Sequence, residues 1–388
     1  MNAAIAAAPA PAASFTNSRA SVLLDLLRAL AAFLVLLSHW KIMFFVDYPQ
    51  IPVQVPAHRW LFAVPYVLAS AGHQAVLIFF VLSGYLIGGS VFRALDAGSW
   101  SWRSYLTHRF VRLYIVLIPG LLLCTACDWI GLHCAHVPDL YNGVSPKTHL
   151  IDVGHTLTPS AFLGNLAFFQ TIFVPTFGSD GALWSLANEF WYYMLFPLGL
   201  LAIRKATAAL HRIAFGALFL VIARFTWPDI LLLFPVWLAG VLLARLPPPR
   251  AGAPSRRAAS VVYALVLFIF SKGQFLSPLM HDYLFGAVTF LYIWVLLSAR
   301  GASGRSISVH WTRQAARFSY SLYVIHMPLL LLITAFVAGD RLWSPTSPST
   351  DALALAILAF LMAAAYGFGW LTEFRTDKVR TWVEGRLQ

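Results

Sequence analysis

The chain has 388 residues, is 60% hydrophobic and only 11% charged, and carries a formal net charge of +12. Apolar runs of about 20 residues, the length one hydrocarbon crossing needs, recur from Val22 onward and exclude a soluble globular domain. Its arginines are scattered over short loops and form no face with base-reading groups, so the positive charge does not imply nucleic acid.

In chain order, residues 1–18 are rich in Ala and Pro and lack the basic n-region of a cleaved signal peptide. They read as a disordered tail before a first helix that acts as an uncleaved anchor. Crossings are expected near 22–44, 74–93, 106–127, 183–203, 210–226, 229–245, 258–271, 282–299, 318–338 and 352–372. The expected fold class is therefore all-α, a polytopic membrane protein of about ten transmembrane helices. One membrane domain, 19–375, carries a tail at 376–388. Lys and Arg concentrate in short cytoplasmic loops. Placing the N-terminus inside puts most of the 27 basic residues there, among them Arg93, Arg103, Arg204, Arg256, Arg257 and Arg317, and makes both termini cytoplasmic.

In the first helix, Asp25 and Arg28 are one turn apart, and His39 follows Arg28 by close to three turns, so all three share a face. The first two also suit a plain neutralising pair, and His39 an interfacial histidine beside Trp40. A histidine near neutral pH can equally act as a base or a nucleophile. The second helix carries FFVLSGYLIGG from Phe79, in which Ser83 and Gly84 permit close helix contact and Tyr85 offers a hydroxyl. Arg109 and Arg112 open the third helix one turn apart. Such a pair can clamp a phosphate, although ordinary positive-inside residues have the same spacing.

Cys124, Cys127 and Cys134 fall at or beyond the outer end of the third helix and read as structural or free thiols. With Asp128, His133 and His136 they match no zinc spacing, so no metal site is expected. The polar interval 128–182 reads as a lid, an acceptor-binding surface or a plain connector. The apolar stretch 161–174 inside it, bounded by Pro159 and Pro175, reads as an interfacial or re-entrant piece. Trp184, Ser185 and Glu189 open the fourth helix, where a buried carboxylate must meet a donor or a cation or hold its proton. The Pro-, Arg- and Gly-rich stretch 246–260 is a linker. Ser319, Tyr320, Tyr323 and His326 form a polar face in the ninth helix, and Glu373 ends the tenth.

These five groups, in this order, resemble the acyltransferase 3 family of multi-pass membrane O-acyltransferases over nearly the whole chain. The carriers are Asp25, Arg28 and His39; Phe79, Phe80, Ser83, Gly84 and Tyr85; Arg109 and Arg112; Trp184, Ser185, Leu186 and Glu189; and Ser319, Tyr320, Tyr323 and His326. Asn188 stands where relatives usually have an apolar residue, and Glu373 lacks the Arg-Pro that often follows it. The resemblance implies transfer of an acyl group, by default acetyl, from cytoplasmic acetyl-CoA or another acyl-CoA to a hydroxyl of an extracytoplasmic or exported glycan or glycolipid. It implies the bacterial inner membrane as the location, membrane lipid around the helices, polysaccharide biosynthesis machinery as a partner, and no metal. With no hydrolase-like domain fused, a second acyl-handling step would need another protein.

In this reading His39 is base or transient acyl carrier, with Asp25, Arg28 and Glu189 in support. Arg28, Arg109 and Arg112 hold coenzyme phosphates. Ser83, Tyr85, Trp184, Ser185, Tyr320, Tyr323 and His326 support substrate or structure. The rivals are a multi-pass transporter or channel, acylation of a secreted small molecule such as a macrolide, and a scaffold in polysaccharide export. The chain has no internal repeat, which weighs against a transporter.

Overall fold

The structure, a computed structural model, describes residues 18–51, 59–148, 152–273, 275–304, 306–345 and 347–387. The tail expected at 1–18 lies, except for Ser18, outside the described residues. In order the α-helices are α1 (Arg19–Phe44), α2 (Arg59–Leu68), α3 (Gly72–Asp96), α4 (Trp102–Cys134), α5 (Pro138–Tyr141), α6 (Val153–Thr156), α7 (Pro159–Leu166) and α8 (Trp184–Ile203). They continue as α9 (Ala209–Phe225), α10 (Phe234–Leu243), α11 (Ala253–Lys272), α12 (Pro278–Leu296), α13 (Ile307–Arg317), α14 (Ser319–Val337), α15 (Pro348–Leu371) and α16 (Thr376–Leu387). The protein is an all-α polytopic membrane protein.

Among the described residues, eight helices are long and apolar enough to cross a membrane: α1, α3, α4, α8, α11, α12, α14 and α15. The expected crossings at 210–226 and 229–245 correspond to α9, of 17 residues, and α10, of 10 residues after a 3-10 turn at Leu231–Leu233. Helix starts follow local chemistry. The Ser18 and Ser101 hydroxyls accept from the backbone N–H of Ser21 and Ser104, and proline fills the first turn of α7, α10, α11, α12 and α15.

Packing centres on α1, α3 and α14, with α4, α8 and α10 against them. The α3–α10 crossing is set by glycine. A Cβ on Gly84 would lie 2.0 Å from the Trp237 carbonyl oxygen, and one on Gly240 2.0 Å from that of Val81, so the two backbones touch. Outward faces expose Leu210, Ile213, Leu220, Val261, Leu265, Leu355 and Phe360, as helices bordered by lipid tails do.

The stretch beginning at Pro159 is a short helix followed by a tight reversal, with Phe168 and Thr171 at positive φ, 58° and 66°. It inserts its aromatic tip into the bundle. The Phe168 ring is fully buried and stacks on Phe190 at 4.2 Å, and the Phe168 carbonyl accepts from Trp191 Nε1 at 2.8 Å.

Candidate active site

A cavity of about 300 Å³ runs between α1, α3, α4, α8 and α14. It gathers eight of the expected site residues: Arg28, Ser83, Arg109, Arg112, Ser185, Glu189, Tyr320 and Tyr323. Its direction follows from the helices. Arg28 lies early in α1 and Arg109 and Arg112 early in α4, which defines an arginine end. His39, eleven residues beyond Arg28, is roughly 16 Å farther along α1 at a 1.5 Å rise, which defines a histidine end. Helix α8 runs the opposite way, from Ser185 through Glu189 to Tyr193.

At the arginine end, Arg28 donates to Asp25 at 3.1 Å. The Arg109 guanidinium lies over the rings of Tyr105 and Tyr193, at 5.4 and 5.8 Å. The Nε atoms of Arg28 and Arg109 are buried and have no hydrogen-bond partner among the described residues. Donors left in this state in a cavity suit an anion.

At mid-depth, Glu189 is met by hydroxyls. Ser83 on α3 donates to it at 2.7 Å, and Tyr193, one turn along α8, donates as well. Ser83 in turn accepts from Trp237 Nε1 at 3.2 Å. Toward the histidine end, Ser185 and Tyr323 are joined through their hydroxyls at 2.5 Å, and the Tyr323 hydroxyl lies 2.7 Å from the Ala182 carbonyl.

Beyond Tyr323 stands a pair of imidazoles. His326 Nε2 is 3.0 Å from His39 Nδ1, with ring centroids 5.0 Å apart. Hydrogen-bond chemistry assigns the protons when both rings are neutral. His326 Nδ1 lies 2.7 Å from the Tyr323 carbonyl and 3.1 Å from that of Leu322, both pure acceptors, so Nδ1 carries the proton. Nε2 of His326 is then an acceptor and must receive the proton of His39 Nδ1. The lone pair of His39 is thereby placed on Nε2. His326 thus fixes the tautomer and orientation of the His39 ring.

Five expected site residues do not line the cavity: Asp25, His39, Tyr85, Trp184 and His326. Asp25 sits behind Arg28. His39 and His326 adjoin the cavity through Tyr323, whose ring is 5.9 Å from that of His326. Trp184 stands at the histidine end with its ring 6.2 Å from Phe80, which lines the cavity. Tyr85 lies at the α3–α10 crossing, where its backbone nitrogen is 2.8 Å from the position of a Cβ on Gly240.

Asn188 turns away, donating to Tyr192 at 3.1 Å. Glu373 accepts from the Ser321 backbone and hydroxyl at 3.0 and 2.9 Å and so ties the end of α15 to the start of α14. Tyr193 was not singled out in the sequence, although its place four residues after Glu189 puts it on the same helix face. The three cysteines are free. Cys124 and Cys127 lie inside α4, not beyond it, and Cys134 is its last residue. Cys124 donates to Asp128, whose Oδ2 also accepts from the Ser179 N–H at 2.8 Å. Burial, with the Asp128 charge beside it, holds the Asp180 carboxyl well above the usual carboxylate range.

A family model described as an acyltransferase domain matches residues 22–372. An uncharacterized protein of Haemophilus influenzae is 29% identical over 130 residues, 33% of this chain and 49% of that protein, so the chain spans about half the length of the curated relative it matches. No solved structure matches the chain.

Proposed function

The chain belongs to the acyltransferase 3 family, and from that premise we propose that it is a membrane O-acyltransferase which moves an acyl group, acetyl by default, from acyl-coenzyme A to a hydroxyl of an extracytoplasmic glycan. The observation that carries the reading is a cavity in which the Nε donors of Arg28 and Arg109 have no partner among the described residues at one end and an oriented imidazole stands beside the other. A thioester donor with a phosphorylated carrier needs the first, and a hydroxyl acceptor needs the second.

Arg28, Arg109 and Arg112 would hold the coenzyme phosphates, with the acyl-bearing arm directed along the cavity past Glu189. His39 Nε2 would take the proton of the acceptor hydroxyl as its oxygen bonds to the thioester carbonyl carbon. The carbon–sulfur bond then breaks, and the coenzyme leaves as a thiol with the proton from Nε2. The same lone pair could instead accept the acyl group before passing it on. Rapid quenching with labelled acetyl-CoA separates the two, because only the carrier route leaves label on the protein.

The test is mass spectrometry of envelope glycan from cells lacking the protein, complemented at matched membrane levels. Wild type should restore a 42 Da increment on a sugar, the acetyl mass expected from acyl transfer, and His39→Ala should not. Equal restoration by both would remove His39 from the chemistry. Restoration by neither, with the glycan unchanged, would remove the glycan as acceptor. The bacterial inner membrane, with the arginine end cytoplasmic, is the setting this reading requires, next to the machinery that makes the polysaccharide.

A further inference from the structure

The acyltransferase reading leaves unused a second imidazole and carboxylate at the histidine end. His73 is in the first turn of α3, one turn from Val76, which lines the cavity. Its Nε2 is 2.8 Å from Oδ1 of Asp282 on α12. The Asp282 side chain is only 12% exposed, whereas that of His73 is 47% exposed. A second histidine, His281, is pinned by the Gly273 carbonyl at 3.0 Å, with Nδ1 4.0 Å from the same carboxylate. Asp282, largely buried on α12, holds His73 by one nitrogen. The other nitrogen, Nδ1, has no hydrogen-bond partner among the described residues.

The position of this pair is as informative as its bonding. The His73 ring is nearly parallel to Trp184, at 18° and 6.4 Å between centroids, and Trp184 precedes Ser185, which lines the cavity. The neighbouring Gly72 packs on Ser38, next to His39, so closely that a Cβ would sit 2.7 Å from the Ser38 side chain. His73, Trp184 and His39 therefore surround the same end of the cavity from α3, α8 and α1. An exposed imidazole nitrogen beside an indole presents one hydrogen-bonding point and one apolar plane, which is the chemistry that binds a ring with hydroxyls at its edge and C–H bonds on its face.

We propose that His73, held by Asp282, and Trp184 form an acceptor subsite that positions a sugar ring of the polysaccharide at the His39 end of the cavity. This rests on the acyltransferase reading and adds the residues that select the acceptor. His73 is a binding residue here, and Asp282 a positioning residue that acts through it.

The test uses the full chain in membranes with acetyl-CoA, and de-O-acetylated envelope polysaccharide from the deletion strain as the acceptor probe. Coenzyme A release is followed with and without polysaccharide. Loss of one such hydrogen bond corresponds to roughly tenfold in affinity. His73→Ala and Asp282→Ala, which removes the acceptor that holds His73, are therefore expected to raise the KM for polysaccharide about tenfold and to leave the KM for acetyl-CoA and the polysaccharide-free rate within about twofold. His73→Gln, which keeps a polar group at an exposed position, should recover part of the loss.

An unchanged polysaccharide KM together with a lowered melting temperature would make the pair a plain tie between α3 and α12 and overturn the inference. Coenzyme A release by wild type without transfer to polysaccharide would overturn it too, while leaving the acyltransferase reading intact. No coenzyme A release by wild type would take both down.

Discussion

Replacing His326 tests the proton assignment that puts the lone pair of His39 on Nε2. His326 is 1% exposed and accepts from His39 Nδ1 at 3.0 Å. Leucine at this position is similar in bulk and apolar, so the core should hold. It removes the His326 acceptor, however, and leaves the Val35 carbonyl one turn back as the partner of His39, so the ring loses one of the two groups that orient it, a loss of about 1–3 kcal/mol when the imidazole takes up its proton. If the proton of Nδ1 instead moves to Nε2, the base loses its lone pair. Either route predicts a fall in kcat of roughly 5- to 150-fold with little change in KM for acetyl-CoA. Glutamine offers an oxygen where Nε2 accepted, so His326→Gln should stay within about tenfold of wild type. The assay is coenzyme A release from acetyl-CoA in membranes with matched protein levels. A His326→Leu protein at wild-type rate, or a His326→Gln protein no better than His326→Leu, would refute the assignment.

Three further outcomes follow from the same geometry. Arg109→Ala, which removes a guanidinium whose Nε is buried without a partner, should raise the KM for acetyl-CoA at least tenfold but leave that for acetyl-pantetheine, which has no phosphates, nearly unchanged; equal losses for both donors would mean that it does not bind phosphate. Gly84→Ala sets a Cβ 2.0 Å from the Trp237 carbonyl oxygen, and because neither backbone can yield cheaply it should cost at least about 1–3 kcal/mol, read as a lower melting temperature in detergent. Asp180, whose folded carboxyl is held above its unfolded value by burial beside Asp128, stabilises the protein fully below the unfolded pKa, and that contribution is lost as pH rises through the raised folded value. Asp180→Asn does not titrate, so its melting temperature relative to wild type should rise between pH 5 and pH 8, and a constant difference across that range would refute the account.

Much of this was legible locally. The shared face of Asp25, Arg28 and His39 depends only on helical pitch, and the structure brings Arg28 to the cavity and His39 to its far end. The demand that Glu189 find a partner follows from burial cost, and Ser83 and Tyr193 answer it. What escaped was tertiary. The third crossing was expected to end near 127, where the polar interval 128–182 begins, yet α4 continues to Cys134 with Asp128 buried against the Ser179 N–H. Helices α13 and α16 lack an apolar run of spanning length and gave no hydropathy signal. His73 and Asp282 are 209 residues apart, and neither lies in a motif that sequence spacing could pair.

The treatment of buried charge favours the proposed binding of an anion in the cavity. Three carboxylates, Asp25, Glu189 and Glu373, lie around three guanidiniums, Arg28, Arg109 and Arg112. Simple mutual neutralisation would pair them one to one, and a packed set of ion pairs inside a bilayer would leave nothing to bind a ligand. Instead only Arg28 and Asp25 form a direct salt bridge among these six. Glu189 takes its hydrogen bonds from Ser83 and Tyr193, and Glu373 from Ser321. Because hydroxyl and backbone donors satisfy these two carboxylates, they offset the charge of the arginines at a distance without occupying their N–H groups. A phosphate can then enter without first breaking an ion pair at Arg109 or Arg112, and on leaving it does not strand an uncompensated cluster of cations. The proposed coenzyme donor, which would bind and leave at every turnover, needs that balance.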